Sequence, residues 1–240
     1  MDFKTEAEIW SHIQILNNYS GFRFTSGSWL AKLSAMPASE KMRLFVAVFP
    51  PAQVVERLTD AIRRVAGGLS PRAVAWTSPE QIHLTLNFLG NTERETVPEL
   101  ERVLDGVCRT GASHVLRARG LGCFPNPGRP RIIWAGLEDP PRALAALKEK
   151  LDDGLTRLGY VPEDRAFHPH LSLGRVKELH GGDRQHLAQS LRELSDTDFG
   201  RWTVEGVDLM RSELSPSGAR YSVVKSFLLG GETQAGFTAA

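Results

Sequence analysis

Two short phrases hold the side chains best suited to chemistry in this 240-residue chain: His83-Leu84-Thr85-Leu86 and His170-Leu171-Ser172-Leu173. Each places a histidine two positions from a hydroxyl residue and fills the gaps with leucine. On a β-strand, residues i and i+2 share a face, so an imidazole and a hydroxyl stand on one side of a sheet while the leucines fill the other. Two such strands facing one cleft supply two imidazoles and two hydroxyls. That inventory suits proton transfer at a phosphate: one imidazole takes a proton, the other gives one, and the hydroxyls hold the oxygens that do not react. One His-x-Ser/Thr alone carries little weight, because a half-buried histidine satisfied by its neighbours is the commoner case. Repetition in corresponding places of the chain, each strand opening into a glycine, makes functional pairing the better reading.

The remaining polar candidates are weighed against that pair. His168-Pro169-His170 invites a metal, but no carboxylate or cysteine follows at ligand spacing and Glu163 and Asp164 lie in the preceding loop. No metal is expected, and His168 is expected to pack or hydrogen-bond behind the cleft. Arg129 and Arg131 flank a proline in a loop that enters a strand; a solvated basic loop is the plain reading, although a charged transition state needs a fixed cation and the planar fork of arginine suits phosphate. Arg175 stands at odd distance from His170 and points away from the imidazole on a regular strand, unless that strand bulges. Phe45, Trp76, Phe88, Phe124, Trp134 and Phe167 read mostly as core, with one or two at the rim of the cleft to stack a base. His12, His114, His180 and His186 have no recurring neighbourhood and read as surface or turn residues.

The elements that must position these groups follow from periodicity. A strand is expected over 43–49, stopped by Pro50-Pro51. Helices are expected over 54–65, 97–107, 141–158 and 183–194, from apolar residues at helical spacing closed in most cases by glycine. Further strands read over 73–76, 82–89, 115–121, 131–137 and the second phrase, with two closing β runs over 201–214 and 220–229. The order resembles a loosely duplicated half. It predicts an α+β fold of two similar lobes of antiparallel sheet, related by a pseudo-two-fold, with outer helices and a central groove; one phrase in each half then puts one histidine and one hydroxyl on each wall. Residues 1–41 read as an N-terminal extension or a mis-assigned start, 42–230 as the bilobal domain and 231–240 as a disordered tail. A helix over 6–16 that packs on the domain is the alternative for the extension.

Composition narrows the function classes. A hydrophobic share of 41% and a charged share of 24% are those of a soluble globular protein. No apolar run reaches membrane-spanning length, and the acidic first residues lack the order of a secretion signal, so a cytoplasmic monomer is expected. Cys108 and Cys123 read as reduced structural thiols. The formal net charge of +1 excludes a basic coat, so any nucleic-acid contact must come from a local patch.

Taken together these residues are similar to the two-histidine (2H) phosphoesterases, and in detail they resemble the RNA 2′,3′-cyclic phosphodiesterase family, long called 2′-5′ RNA ligases. The resemblance spans about 42–230. It rests on Met42-Arg43-Leu44-Phe45-Val46-Ala47, on Trp76 through His83-Leu84-Thr85-Leu86-Asn87-Phe88-Leu89-Gly90, on the loop from Phe124-Pro125 to Arg131-Ile132-Ile133-Trp134, on Pro169-His170-Leu171-Ser172-Leu173-Gly174-Arg175 and on the stretch 221–229. It implies hydrolysis of a terminal 2′,3′-cyclic phosphate on RNA to a 2′-phosphomonoester, with no metal or nucleotide cofactor. Carried over by position, His83 is the proton donor to the departing 3′ oxygen, His170 the base that activates water, and Thr85 and Ser172 bind the phosphate oxygens. Arg131 matches a cation near the phosphate, and Arg129, Arg175 and Phe45 are the further substrate contacts expected. Some members also join RNA halves through a 2′-5′ bond, so RNA ends with a cyclic phosphate, those of tRNA halves among them, are the implied partners. The chain departs from the pattern in having Ser172 where threonine is usual and in its first 41 residues, which have no counterpart. Two other readings stay open: a non-catalytic binder of RNA ends, and an esterase for small cyclic nucleotides.

Overall fold

The computed structural model describes residues 40–139, 142–215 and 218–230. The N-terminal extension, the helix expected over 6–16 and the C-terminal tail lie outside the described residues. β1 (Lys41–Val48) forms where the first apolar run predicts it, ahead of Pro50-Pro51. α1 (Ala52–Ala66) turns Val54, Leu58, Ala61 and Val65 inward. β2 (Val74–Trp76) and β3 (Leu84–Glu93) follow, then α2 (Val97–Arg109) with Val97, Leu100, Leu104 and Cys108 buried. β4 (His114–Phe124) and β5 (Ile132–Glu138) precede α3 (Ala143–Thr156), which buries Leu144, Leu147, Leu151 and Leu155 as its spacing predicts. β6 (His170–Val176), α4 (Asp183–Glu193), β7 (Asp198–Val204), β8 (Gly206–Ser215) and β9 (Gly218–Leu228) complete the chain. No described helix is long and apolar enough to cross a membrane. Both cysteines are buried free thiols, and burial, helped by the nearby Asp105 charge, pushes Cys108 up to about 12.

The strands form two antiparallel sheets, in the orders β3-β1-β8-β9 and β2-β6-β5-β4-β7. α2 packs against α3, and the two cover the first sheet through contacts with β9 and β3; α1 and α4 lie against β7 and β4 of the second. The α+β class with outer helices therefore holds. The lobes do not correspond to the two halves of the chain, however: β1 and β3 are joined in one sheet by β8 and β9 from the far end, while β2 leaves for the other. The expected single run over 201–214 is accordingly two strands. β7 ends on the outer edge of the second sheet beside β4, and after Glu205 the chain enters the first sheet between β1 and β9. A side chain at Gly206 would meet the Phe227 carbonyl at 2.5 Å, so the crossing point needs glycine.

Three β-bulges set which side chains of the phrases face the groove. Between β1 and β3, Ala47 pairs with Thr85 but Val46 with Asn87, which leaves Leu86 as the extra residue; Phe45 then pairs with Phe88 and Leu44 with Gly90, which leaves Leu89. An extra residue reverses the alternation beyond it. Thr85 thus shares the face of Ala47, while Asn87 turns to the helix side, where its Nδ2 donates to Asp152 Oδ1 of α3 at 2.6 Å beside the Lys148–Asp152 ion pair. Between β5 and β6, Trp134 pairs with Ser172 and Ile133 with Gly174, so Leu173 is extra. Leu171 and Leu173 are fully buried, and Gly174 is buried with them.

Candidate active site

His83 stands immediately ahead of β3 rather than inside it, and His170 is the first residue of β6. Buried Ile82 and Leu84 on either side of His83, and buried Leu171 and Leu173 around Ser172, enforce the alternation that turns the reactive side chains out of the core. The two imidazoles are held alike. His83 Nδ1 lies 2.7 Å from the Gln81 carbonyl oxygen, and His170 Nδ1 lies 2.7 Å from the His168 carbonyl oxygen. A carbonyl oxygen only accepts, so Nδ1 carries the hydrogen in both rings and Nε2 is left with the lone pair when the ring is neutral, or with an acidic proton when it is charged. Each histidine is followed at two residues by its hydroxyl. The Cα atoms of β3 and β6 approach within 8 Å although the strands belong to different sheets.

The surroundings of the two rings differ. His83 sits among Phe45 at 5.1 Å, Phe49 at 5.5 Å and Tyr221, edge-on, at 5.4 Å between ring centroids. Phe45, Ala47 and Met210 form a small buried cluster of their own, bordered by Phe49 and Tyr221, on the face that carries Thr85. The β8–β9 hairpin curls over this face, and Gln81 Nε2 donates to the Ala219 carbonyl to hold it there. Further along the same row, Asp208 pairs with Ala47, and its carboxyl is raised by burial even though Ser226 Oγ donates to it at 2.5 Å. His170 meets Phe124 edge-on at 5.0 Å, and Phe124 leans on Trp134 at 5.2 Å. A Cβ on Gly122 would lie 2.2 Å from the Trp134 ring, so that residue must be glycine for the indole to lie flat beside Ser172.

The aromatic cage has an electrostatic consequence. Burial lowers the proton affinity of His83, outweighing the bond to Gln81 O, which favours the charged ring. For a reaction that needs one charged and one neutral imidazole, activity is lost at low pH when the second proton binds and at high pH when the last one leaves. The acid limb of kcat/KM is therefore expected below the ordinary histidine value of about 6.5. Phe49→Ala, which opens the cage to water, is expected to move that limb to higher pH; an unchanged limb would show that the cage does not set it.

Phe45 supports His83 rather than standing free, whereas Phe88, read as core, is 63% exposed because the bulge at Leu86 returns it to the groove face. His168 contributes its backbone carbonyl; the residue is exposed, with its ring 6.5 Å from that of Phe124. Among the described residues no group of three or more His, Cys, Asp and Glu side chains is placed to hold a metal ion. Arg175, expected to point away on a regular strand, is exposed: the bulge at Leu173 puts it on the face of Ser172. Arg129, Arg131 and Arg175 come together in one cavity of about 540 Å³, which neither histidine lines. Gln81, Phe49, Tyr221 and the His168 carbonyl carry no signal in the sequence, since a main-chain acceptor is common to every residue type and the aromatic partners come from distant strands.

The arrangement has counterparts among known proteins. The family model described as "LigT like Phosphoesterase" matches residues 48–134 and 136–221. An RNA 2′,3′-cyclic phosphodiesterase of Methanothermobacter thermautotrophicus is 34% identical over 191 residues, which cover 79% of this chain and all of that protein. Among solved structures, TT0787 of Thermus thermophilus superposes with a TM-score of 0.67 at 35% identity, over 80% of this chain and 100% of that one. LigT of Escherichia coli, crystallised with 3′-AMP, superposes with a TM-score of 0.63 at 25% identity, over 79% of this chain and 99% of that one. With both phrases inside the matched regions and the two-sheet fold shared along nearly the whole of these relatives, the chain belongs to the LigT-like phosphoesterases of the 2H phosphoesterase superfamily.

Proposed function

We propose that this protein hydrolyses the 2′,3′-cyclic phosphate at an RNA end to a 2′-phosphomonoester, using its two histidines as a general acid and a general base. The observation that carries the proposal is the matched pair: each imidazole has Nδ1 committed to the carbonyl two residues before it, Nε2 available for proton transfer and a hydroxyl two residues after it. The name of the M. thermautotrophicus relative and the 3′-AMP complex of the E. coli relative support the same substrate chemistry.

In this reading a water lies in line with the P–O3′ bond. His170 Nε2 takes one of its protons, the water oxygen bonds to phosphorus, the P–O3′ bond breaks, and the Nε2 proton of His83 passes to O3′. Thr85 and Ser172 donate to the non-bridging oxygens as charge grows on them, with Arg131 as the accompanying cation. His83 binds its proton weakly in the free protein, so the anionic phosphate must raise its affinity as it enters. The same weak affinity favours a second reading, in which the two roles are exchanged. The reaction needs no metal or nucleotide cofactor. A 5′-hydroxyl in place of water would give a 2′-5′ bond by the same transfers, as in the joining of tRNA halves, and the setting is a cytoplasmic monomer.

Phosphorus NMR of the product formed from a cyclic-phosphate RNA in the presence of EDTA tests the proposal. A 2′-phosphate formed at a chelator-independent rate is expected. A 3′-phosphate, or activity that EDTA abolishes and Zn²⁺ restores, would overturn it, and protection of the end without turnover would identify a non-catalytic binder.

A further inference from the structure

His83 and His170 are carried by strands of different sheets, so no ladder of hydrogen bonds fixes one imidazole against the other. Helix α3 reaches both strands through a side-chain cluster on its inner face. Asn87, two residues beyond Thr85, is turned toward the helix by the bulge at Leu86, and its Nδ2 donates to Asp152 Oδ1 at 2.6 Å. One helical turn away, Lys148 Nζ donates to both oxygens of Asp152 at 2.5 Å. Lys148 Nζ also lies 5.8 Å from the centre of the Phe167 ring. Phe167 belongs to the segment that leads into β6, in which residues 161–166 are all exposed and Phe167 is the first to turn inward. The next residue is His168, whose carbonyl holds the His170 ring. A chain of contacts therefore runs from β3, through Asp152 and Lys148, to the segment that orients His170.

The chemistry of the cluster suits placement better than net stability. Lys148 is buried, alone among the described lysines and arginines, and taking an ion pair out of water costs about as much as the pair returns. Asn87 Oδ1 is buried and has no hydrogen-bond partner among the described residues. An apolar side chain of similar size would leave no unpaired atom there. What the asparagine adds is one bond to a charged acceptor, and that bond is directional. A buried polar network of this kind specifies one arrangement of the elements it joins more closely than apolar packing does.

We propose that Asn87, Asp152 and Lys148 are positioning residues that set the distance between the His83 and His170 imidazoles by tying both strands to one face of α3. The inference rests on the two-histidine reading above. In an in-line displacement the two Nε2 atoms must reach oxygens on opposite sides of one phosphorus at the same time. A misplacement of ~1 Å costs up to ~10²-fold in rate. Proton transfer needs hydrogen-bond reach at both ends, whereas binding of the phosphate by hydroxyls and charge tolerates a small shift, so the loss falls on kcat more than on KM.

The test uses Asn87→Leu, the double variant Lys148→Met/Asp152→Leu and the triple variant that combines them. Each replaces the polar link with apolar contact at similar volume, so a Tm within a few degrees of the native value is expected. Asn87→Leu and the double variant are each expected to lower kcat on a cyclic-phosphate RNA by about tenfold, with a smaller change in KM. The triple variant is expected to match the double one, because Asn87 has lost its acceptor once Asp152 is gone. Spin labels on Asn91→Cys of β3 and Arg175→Cys of β6, both exposed positions, report the strand separation without turnover, and the two native thiols are buried. A broader or shifted distance distribution is expected when Asn87→Leu is added. An unchanged distribution, an unchanged kcat, or a kcat that falls only as the folded fraction falls would overturn the tie and leave the reaction standing. No turnover by the native protein would overturn the reaction, and the label distances then decide the tie by themselves.

Discussion

His170→Ala and His83→Ala are each expected to lower kcat by ~10²–10⁴ while leaving the fold intact, because each removes a positioned proton acceptor or donor from the face opposite the core. Both rings lie on the side of the phrase away from the buried leucines, and each makes only one hydrogen bond to its own main chain, so unfolding would not follow from their loss. Thermal melting within a few degrees of the native protein is the accompanying expectation. The two variants can be told apart with a substrate in which sulfur replaces the 3′ bridging oxygen. A thiolate leaves without a proton, so activity lost with the donor returns on that substrate and activity lost with the base does not. Recovery in His83→Ala supports it as the donor; recovery in His170→Ala exchanges the roles. Variants that fold and keep full turnover on the natural linkage would end the acid–base proposal altogether.

Leu171→Ala is expected to show the opposite pattern. Leu171 is fully buried between His170 and Ser172, the residues proposed above to act on the phosphate, and faces the main core. Truncation removes apolar contacts and leaves a cavity that the surrounding strands cannot fill, at a cost of about 2–5 kcal/mol. For a domain of this size that corresponds to a fall of about 4–20 °C in Tm. Below the melting temperature the variant is expected to keep the bell-shaped pH profile, because neither imidazole has lost its carbonyl partner. A Tm within a degree of the native value would contradict the assignment of the leucine face to the core. Within one tetrapeptide, therefore, the histidine and hydroxyl positions are expected to govern turnover and the leucine positions stability.

That division was legible from residue types, because it depends only on the two-residue period of a strand. The inward stripes of α1, α2 and α3 were legible for the same reason: Val54, Leu58 and Val65, Leu100 and Leu104, and Leu144 to Leu155 are local patterns that a helix must obey wherever it packs. The boundary between β7 and β8 was not. A run of residues able to be extended reads as one strand, and only the choice of partners, β4 on one side of Glu205 and β1 with β9 on the other, breaks it in two.

The bulges at Leu86, Leu89 and Leu173 belong to the same class, since a bulge exists only as a mismatch against a neighbouring strand. They decided that Asn87 leaves the groove for α3, that Phe88 enters it, and that Arg175 joins Arg129 and Arg131. By itself, then, the sequence determined the chemical inventory, two histidine-hydroxyl pairs on leucine-backed strands, because side-chain identity and period are local properties. Tertiary structure alone decided which aromatics desolvate His83 and that Arg129, Arg131 and Arg175 line one cavity, because each of these depends on residues brought together from segments far apart in the chain.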